Sequence, residues 1–135
     1  MGLVNSIRGS EMTKTTNYEI SKKLAEIGFN KETNFYFTEI APDKFEAQYY
    51  TNNKEYLLLK SYDLETLLEA LPNFIANGNG TENCLVVDVA FGEIHYEGDC
   101  ENDALFITTT RENESLADTA GRLIIELYNN NLIKF

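Results

Sequence analysis

Histidine and cysteine are scarce in this chain: His95 stands alone, and the only cysteines are Cys84 and Cys100. One histidine, with no cysteine pair at ligand spacing, argues against the common zinc arrangements. No Gly-x-Ser-x-Gly elbow is present, and the glycine-rich run Asn77-Gly78-Asn79-Gly80-Thr81 lacks the lysine of a phosphate-cradling loop. A nucleotide hydrolase is therefore not expected. Apolar runs are short as well. The longest, Cys84 to Phe91, is broken by Asp88, whereas a bilayer span needs roughly 18 apolar residues. No basic segment followed by a long apolar stretch opens the chain, so neither a secretory leader nor a membrane anchor is expected. A cytoplasmic protein with both thiols reduced follows. Met1-Gly2 with Ser6 matches the N-myristoylation pattern only loosely.

Basic residues are the next shortage, and it is confined to one half. Residues 1–60 carry eight bases and eight acids, whereas residues 61–135 carry fourteen acids against Arg111, Arg122 and Lys134. The net charge of −11 belongs entirely to the second half. A field of that sign repels phosphate backbones and attracts basic surfaces, which excludes direct nucleic-acid binding as the first expectation.

What remains is an ordinary globular composition, with 43% apolar and 24% charged residues over 135 positions. That length suits one domain with one core. Met12-Thr13-Lys14 reads as a second start, so residues 1–12 are expected to be a disordered extension or alternative start, and residues 13–135 a single α+β domain.

Ile20, Leu24 and Ile27 recur at helical spacing after Asn17, and Gly28 supplies a common helix terminator. Aromatic-rich runs at Phe35–Ile40, Phe45–Tyr50 and Tyr56–Lys60, with short separators, predict an antiparallel meander. Ser61 or Asp63 can cap a helix with the stripe Leu64, Leu67, Leu68 and Leu71, ended by Pro72. The second half is expected to hold strands over Cys84–Phe91, Glu93–Glu97 and Ala104–Thr110. A last helix follows from about Glu114, capped by Asn113, with Leu116, Ala120, Leu123, Ile124 and Leu127 on one side. The expected order is α-βββ-α-βββ-α, a mostly antiparallel sheet packed by helices. Gly121, unfavourable within a helix, predicts close packing of that helix on the sheet.

The three helical segments SKKLAEIGF (21–29), SYDLETLLEALP (61–72) and ESLADTAGRLI (114–124) are similar to small phage and prophage proteins of unknown function. That resemblance implies helices layered on sheet and implies no activity, and it transfers no residue role.

Four groups of residues could carry chemistry. Glu93, His95 and Glu97 alternate along a strand and so share a side, opposite Ile94 and Tyr96. Carboxylates beside an imidazole suit a metal or a general base, but a solvent-facing strand produces the same alternation, and no metal or cofactor is expected. Asp99, Glu101 and Asp103 alternate like the start of a calcium loop. That loop then fails, because Ala104 stands where glycine is needed and Thr110 where the bidentate glutamate is needed. An acidic turn is the expectation. Cys100 sits among carboxylates that disfavour a thiolate, and Cys84 opens an apolar strand, so neither reads as a nucleophile. Asp88 interrupts that strand. It either marks a site or lies on a solvated face opposite Leu85, Val87, Val89 and Phe91. Among the tyrosines, Tyr49, Tyr50, Tyr56 and Tyr96 fall on strands, where core packing is favoured over a partner surface.

The leading expectation is a non-enzymatic interaction module. Its acidic surface, Glu93, Glu97, Asp99, Glu101 and Asp103, would engage a basic protein, as a nucleic-acid mimic inhibitor does. A structural homo-oligomer is the alternative, and a small-ligand binder or enzyme using Asp88 and His95 comes last.

Overall fold

Asn17 accepts the Ile20 N–H at 2.8 Å and opens α1 (Tyr18–Glu26), whose apolar stripe places Ile20 and Leu24 in the core. Side-chain capping of an orphan N–H fixes where such a helix begins. Gly28 ends it at φ +90°, and Phe29 folds back into the core. The computed structural model describes residues 14–51, 59–78, 80–98 and 104–135.

Two antiparallel sheets follow. The first contains β1 (Phe35–Ala41), β2 (Lys44–Tyr49) and β3 (Lys60–Ser61) in the order β2-β1-β3, with β2 at the edge. Residues 56–58 of the expected third strand lie outside the described residues. Asp63 then caps α2 (Leu64–Ala70) by accepting the Thr66 N–H at 2.9 Å.

The second sheet contains four strands where three were expected. After Pro72, β4 (Phe74–Ala76) pairs with β5 (Glu82–Asp88), which pairs with β6 (Glu93–Glu97), which pairs with β7 (Ala104–Thr109). Three residues are too short to show a period, which is why β4 is invisible in the sequence. β5 stops at Asp88 because residues 89–92 form the turn to β6. Val89 and Phe91 are consequently exposed and do not join Leu85 and Val87 on the buried face.

The last helix, α3 (Leu116–Asn129), starts two residues later than the sequence suggests. Ser115 is its cap, and Ser115 with Asp118 forms a reciprocal capping box. Asn113 instead adopts φ +65° in the preceding turn. Nine of the fourteen residues of α3 are buried, because it touches α1, α2, β6 and β7 together.

The core lies between the helices and the inner face of the second sheet, where Ile75, Ile94 and Tyr96 meet Leu64, Leu67, Leu123, Ile124 and Leu127. Gly121 is indeed a close-packing residue, but against α1 and not the sheet. A Cβ there would stand 2.6 Å from Ile20 Cγ2. Asp118 fastens the same pair of helices. Its Oδ1 accepts the Asn17 N–H at 2.6 Å and its Oδ2 the Ser115 N–H at 2.9 Å, so one carboxylate serves the N-termini of α1 and α3. Burial pushes the Asp118 carboxyl up despite these donors. Among the described residues no helix is long and apolar enough to cross a membrane.

Candidate functional site

Strand alternation divides the second sheet into two unlike faces. Asn83, Leu85 and Val87 of β5 point inward with Ile94 and Tyr96, and Asn83, Ile94 and Tyr96 are fully buried. The Tyr96 hydroxyl donates to the Pro72 carbonyl at 2.7 Å, and burial pushes its phenol up. The outer face then receives Glu82, Cys84, Val86 and Asp88 from β5 and Glu93, His95 and Glu97 from β6. Phe74, in register with Cys84, joins them from β4.

β7 is bulged at this point. Ile94 pairs with Thr108 and Tyr96 with Leu105, so Phe106 and Ile107 together oppose His95. Phe106 absorbs the extra residue at φ +53° and turns toward the core. Ile107 remains outside, 57% exposed. A bulge of this kind re-aims side chains and strengthens local twist.

His95 is correctly placed by the sequence on the side of Glu93 and Glu97, yet it is only 8% exposed. Its Nδ1 lies 2.8 Å from Glu93 Oε2, yet this buried nitrogen has no hydrogen-bond partner. Nε2 lies 3.8 Å from Glu97 Oε1. The two glutamates therefore approach opposite nitrogens of the ring, an arrangement unsuited to gripping one ion from both carboxylates and the imidazole. Among the described residues no group of three His, Cys, Asp or Glu side chains is placed to hold a metal.

Asp88 does not point into a cleft. Its Oδ1 accepts the Phe91 N–H at 3.2 Å and shapes the β5–β6 turn, and its backbone pairs with Glu93. The hollows lined by Glu32, Tyr36 and Thr66, by Phe29 and Tyr62, and by Asn17 and Asp118 include neither Asp88 nor His95. Cys84 is a free, exposed thiol on the outer face, not the buried start of a strand. Asp99, Cys100, Glu101 and Asp103 lie outside the described residues. The positions that would complete a calcium loop, Ala104 to Thr109, are extended as β7.

The site is thus a surface and not a pocket. Four carboxylates (Glu82, Asp88, Glu93 and Glu97) share it with Phe74 and Ile107, both more than half exposed. The chain has no lysine or arginine between Lys60 and Arg111, so the sheet carries no fixed positive charge. Asp88 and Glu93 are direct cross-strand partners, a juxtaposition of like charges that destabilises a sheet. Comparison with known proteins gives no match: no protein-family model, curated protein or solved structure corresponds to the chain.

Other acids of the second half have structural work or lie elsewhere. Glu114 grips Arg122 through both carboxylate oxygens, at 2.8 and 3.1 Å. Burial opposes its charge, but Arg122 and Arg111 hold its carboxyl below the ordinary value. Glu65, Glu69, Glu112 and Glu126 are exposed on other elements.

Proposed function

We propose that the protein is a non-enzymatic interaction module of the phage or prophage type, acting in the cytoplasm, whose outer face of β4–β7 docks on a basic protein surface. One observation carries this reading: the uncovered face of the second sheet combines Glu82, Asp88, Glu93 and Glu97 with exposed Phe74 and Ile107 and no lysine or arginine. An acidic rim around apolar anchors complements a basic partner, with charge steering the encounter and apolar burial supplying affinity. A nucleic-acid-binding protein presents such a basic surface, and a mimic of its ligand would inhibit it. The like-charge pair Asp88 and Glu93 weakens the fold, which supports selection for the surface over selection for stability.

Capture from lysate of the source organism or its host tests this, comparing the native protein with a variant carrying Glu82→Gln, Glu93→Gln and Glu97→Gln. The expected result is a basic protein held at low salt, released by added salt and lost with the variant. A control with Glu65→Gln and Glu69→Gln on α2 should retain it. Equal capture by both variants would refute the assignment to this face.

A further inference from the structure

Among the described residues, the strand edges at β7, β4 and β2 are finished differently. At the β7 edge the bulge at Phe106 breaks the regular ladder, and the Arg122 guanidinium donates to the Thr109 carbonyl. The β4 edge is three residues long. The β2 edge has neither protection: six residues run straight, with a register irregularity only on β1. Proteins ordinarily blunt such edges, because a bare strand is a template for another strand.

Register decides which groups of β2 are open. The Tyr50 N–H donates to the Asn34 carbonyl, and the Phe37 N–H turns the other way to the Leu59 carbonyl. Alternation along the ladder therefore directs the N–H and C=O of Gln48 and Glu46 toward β1, and those of Phe45, Ala47 and Tyr49 away from it. No hydrogen bond reaches these outward groups among the described residues. Phe45 and Tyr49, on one face of the strand, are 39% and 61% exposed.

We infer that β2 pairs antiparallel with β2 of a second copy about a two-fold axis through Ala47. In this register Ala47 faces its own copy and Phe45 faces the other copy's Tyr49. All three outward residues then exchange both hydrogen bonds, and two Phe–Tyr pairs form across the axis. Glu46 meets Gln48 and Lys44 meets Tyr50, so no like charges are opposed. Sliding the register one step, to put Phe45 opposite Ala47, brings Glu46 against Glu46. Long-range charge favours the same contact. Residues 1–60, which contain β2, are electrically neutral, and the excess of −11 lies in the other half of each chain. Two copies that join here bring together segments without net charge.

Ala47→Pro is the decisive variant, because the N–H it removes is one that β1 does not use. Sedimentation equilibrium is expected to show concentration-dependent dimers for the native chain and at least tenfold weaker self-association for Ala47→Pro, with unchanged circular dichroism. A second measurement stands independently of that variant's folding. In a Cys84→Ser, Cys100→Ser background, Ala47→Cys should oxidise to a cross-linked dimer and Lys44→Cys should not. Cα atoms facing across a ladder lie about 5.5 Å apart, within disulfide reach. A native protein that stays monomeric at high concentration, dimers indifferent to Ala47→Pro, or cross-linking at 44 in place of 47 would overturn the inference. Capture of a foreign strand at β2 without self-association would overturn it too. None of these outcomes depends on whether the outer sheet face binds a basic partner.

Discussion

Adding one methyl group at Gly121 tests the contact between α1 and α3. In an exposed helix, Gly→Ala stabilises by about 1 kcal/mol. Here the new Cβ would stand 2.6 Å from Ile20 Cγ2, with Thr16 Cγ2 at 3.4 Å and Leu24 Cδ1 at 3.5 Å. The close atom belongs to a β-branched side chain on a helix, where one χ1 rotamer dominates, so it cannot swing aside. Overpacking of this kind costs roughly 1–3 kcal/mol, which cancels or exceeds the helix gain and leaves a net loss of up to about 2 kcal/mol. The background Ile20→Ala removes Cγ2. In it, Gly121→Ala should stabilise by about 1 kcal/mol, because only the helix gain remains. Urea unfolding of the four proteins in this cycle measures the coupling. Equal stabilisation by Gly121→Ala in both backgrounds would refute the close approach of α1 and α3.

Three further outcomes follow from the buried polar groups. Asp118→Ala leaves the Asn17 and Ser115 N–H groups without their acceptor and should cost roughly 2–4 kcal/mol in urea unfolding. Tyr96→Phe strands the Pro72 carbonyl and should cost about 1 kcal/mol by the same measurement. The pH dependence of stability should separate two carboxylates. Glu114, with its carboxyl lowered, contributes stability that is present above the ordinary glutamate range and lost as pH falls through its folded value. Asp118, with its carboxyl raised, contributes stability that is present below the ordinary aspartate range and lost as pH rises through its folded value. Glu114→Gln should flatten the acid side of the profile, and Asp118→Asn should remove the opposing slope.

The local signals in the sequence are those that rest on short-range physics. Asp63, one of the two caps that the sequence offers, is legible because it accepts an N–H three residues on, and the leucine stripe of α2 needs only its own spacing. The α3 start is displaced because Asn113 and Ser115 are both good caps. Only the partner Asp118, which also answers Asn17 from a distant part of the chain, decides between them. The side shared by Glu93, His95 and Glu97 follows from the two-residue period. That this side stays uncovered does not, because it depends on which sheet face the helices choose. Phe74 and Ile107 were missed as members of the surface for two reasons: β4 is too short to be periodic, and the β7 bulge breaks the alternation that places Ile107 beside His95. Segregation of acids into the second half is the other signal of the surface that the sequence carries.

The Asp118 carboxylate joins residues 101 positions apart, and Gly121 seats Ile20 only once α3 exists. During synthesis α1 therefore leaves the ribosome before the residues of α3 that pack on Ile20 and Leu24. Closure of the α1–α3 seam waits for α3. A ribosome stalled before residue 118 would hold sheets and helices whose principal seam is still open.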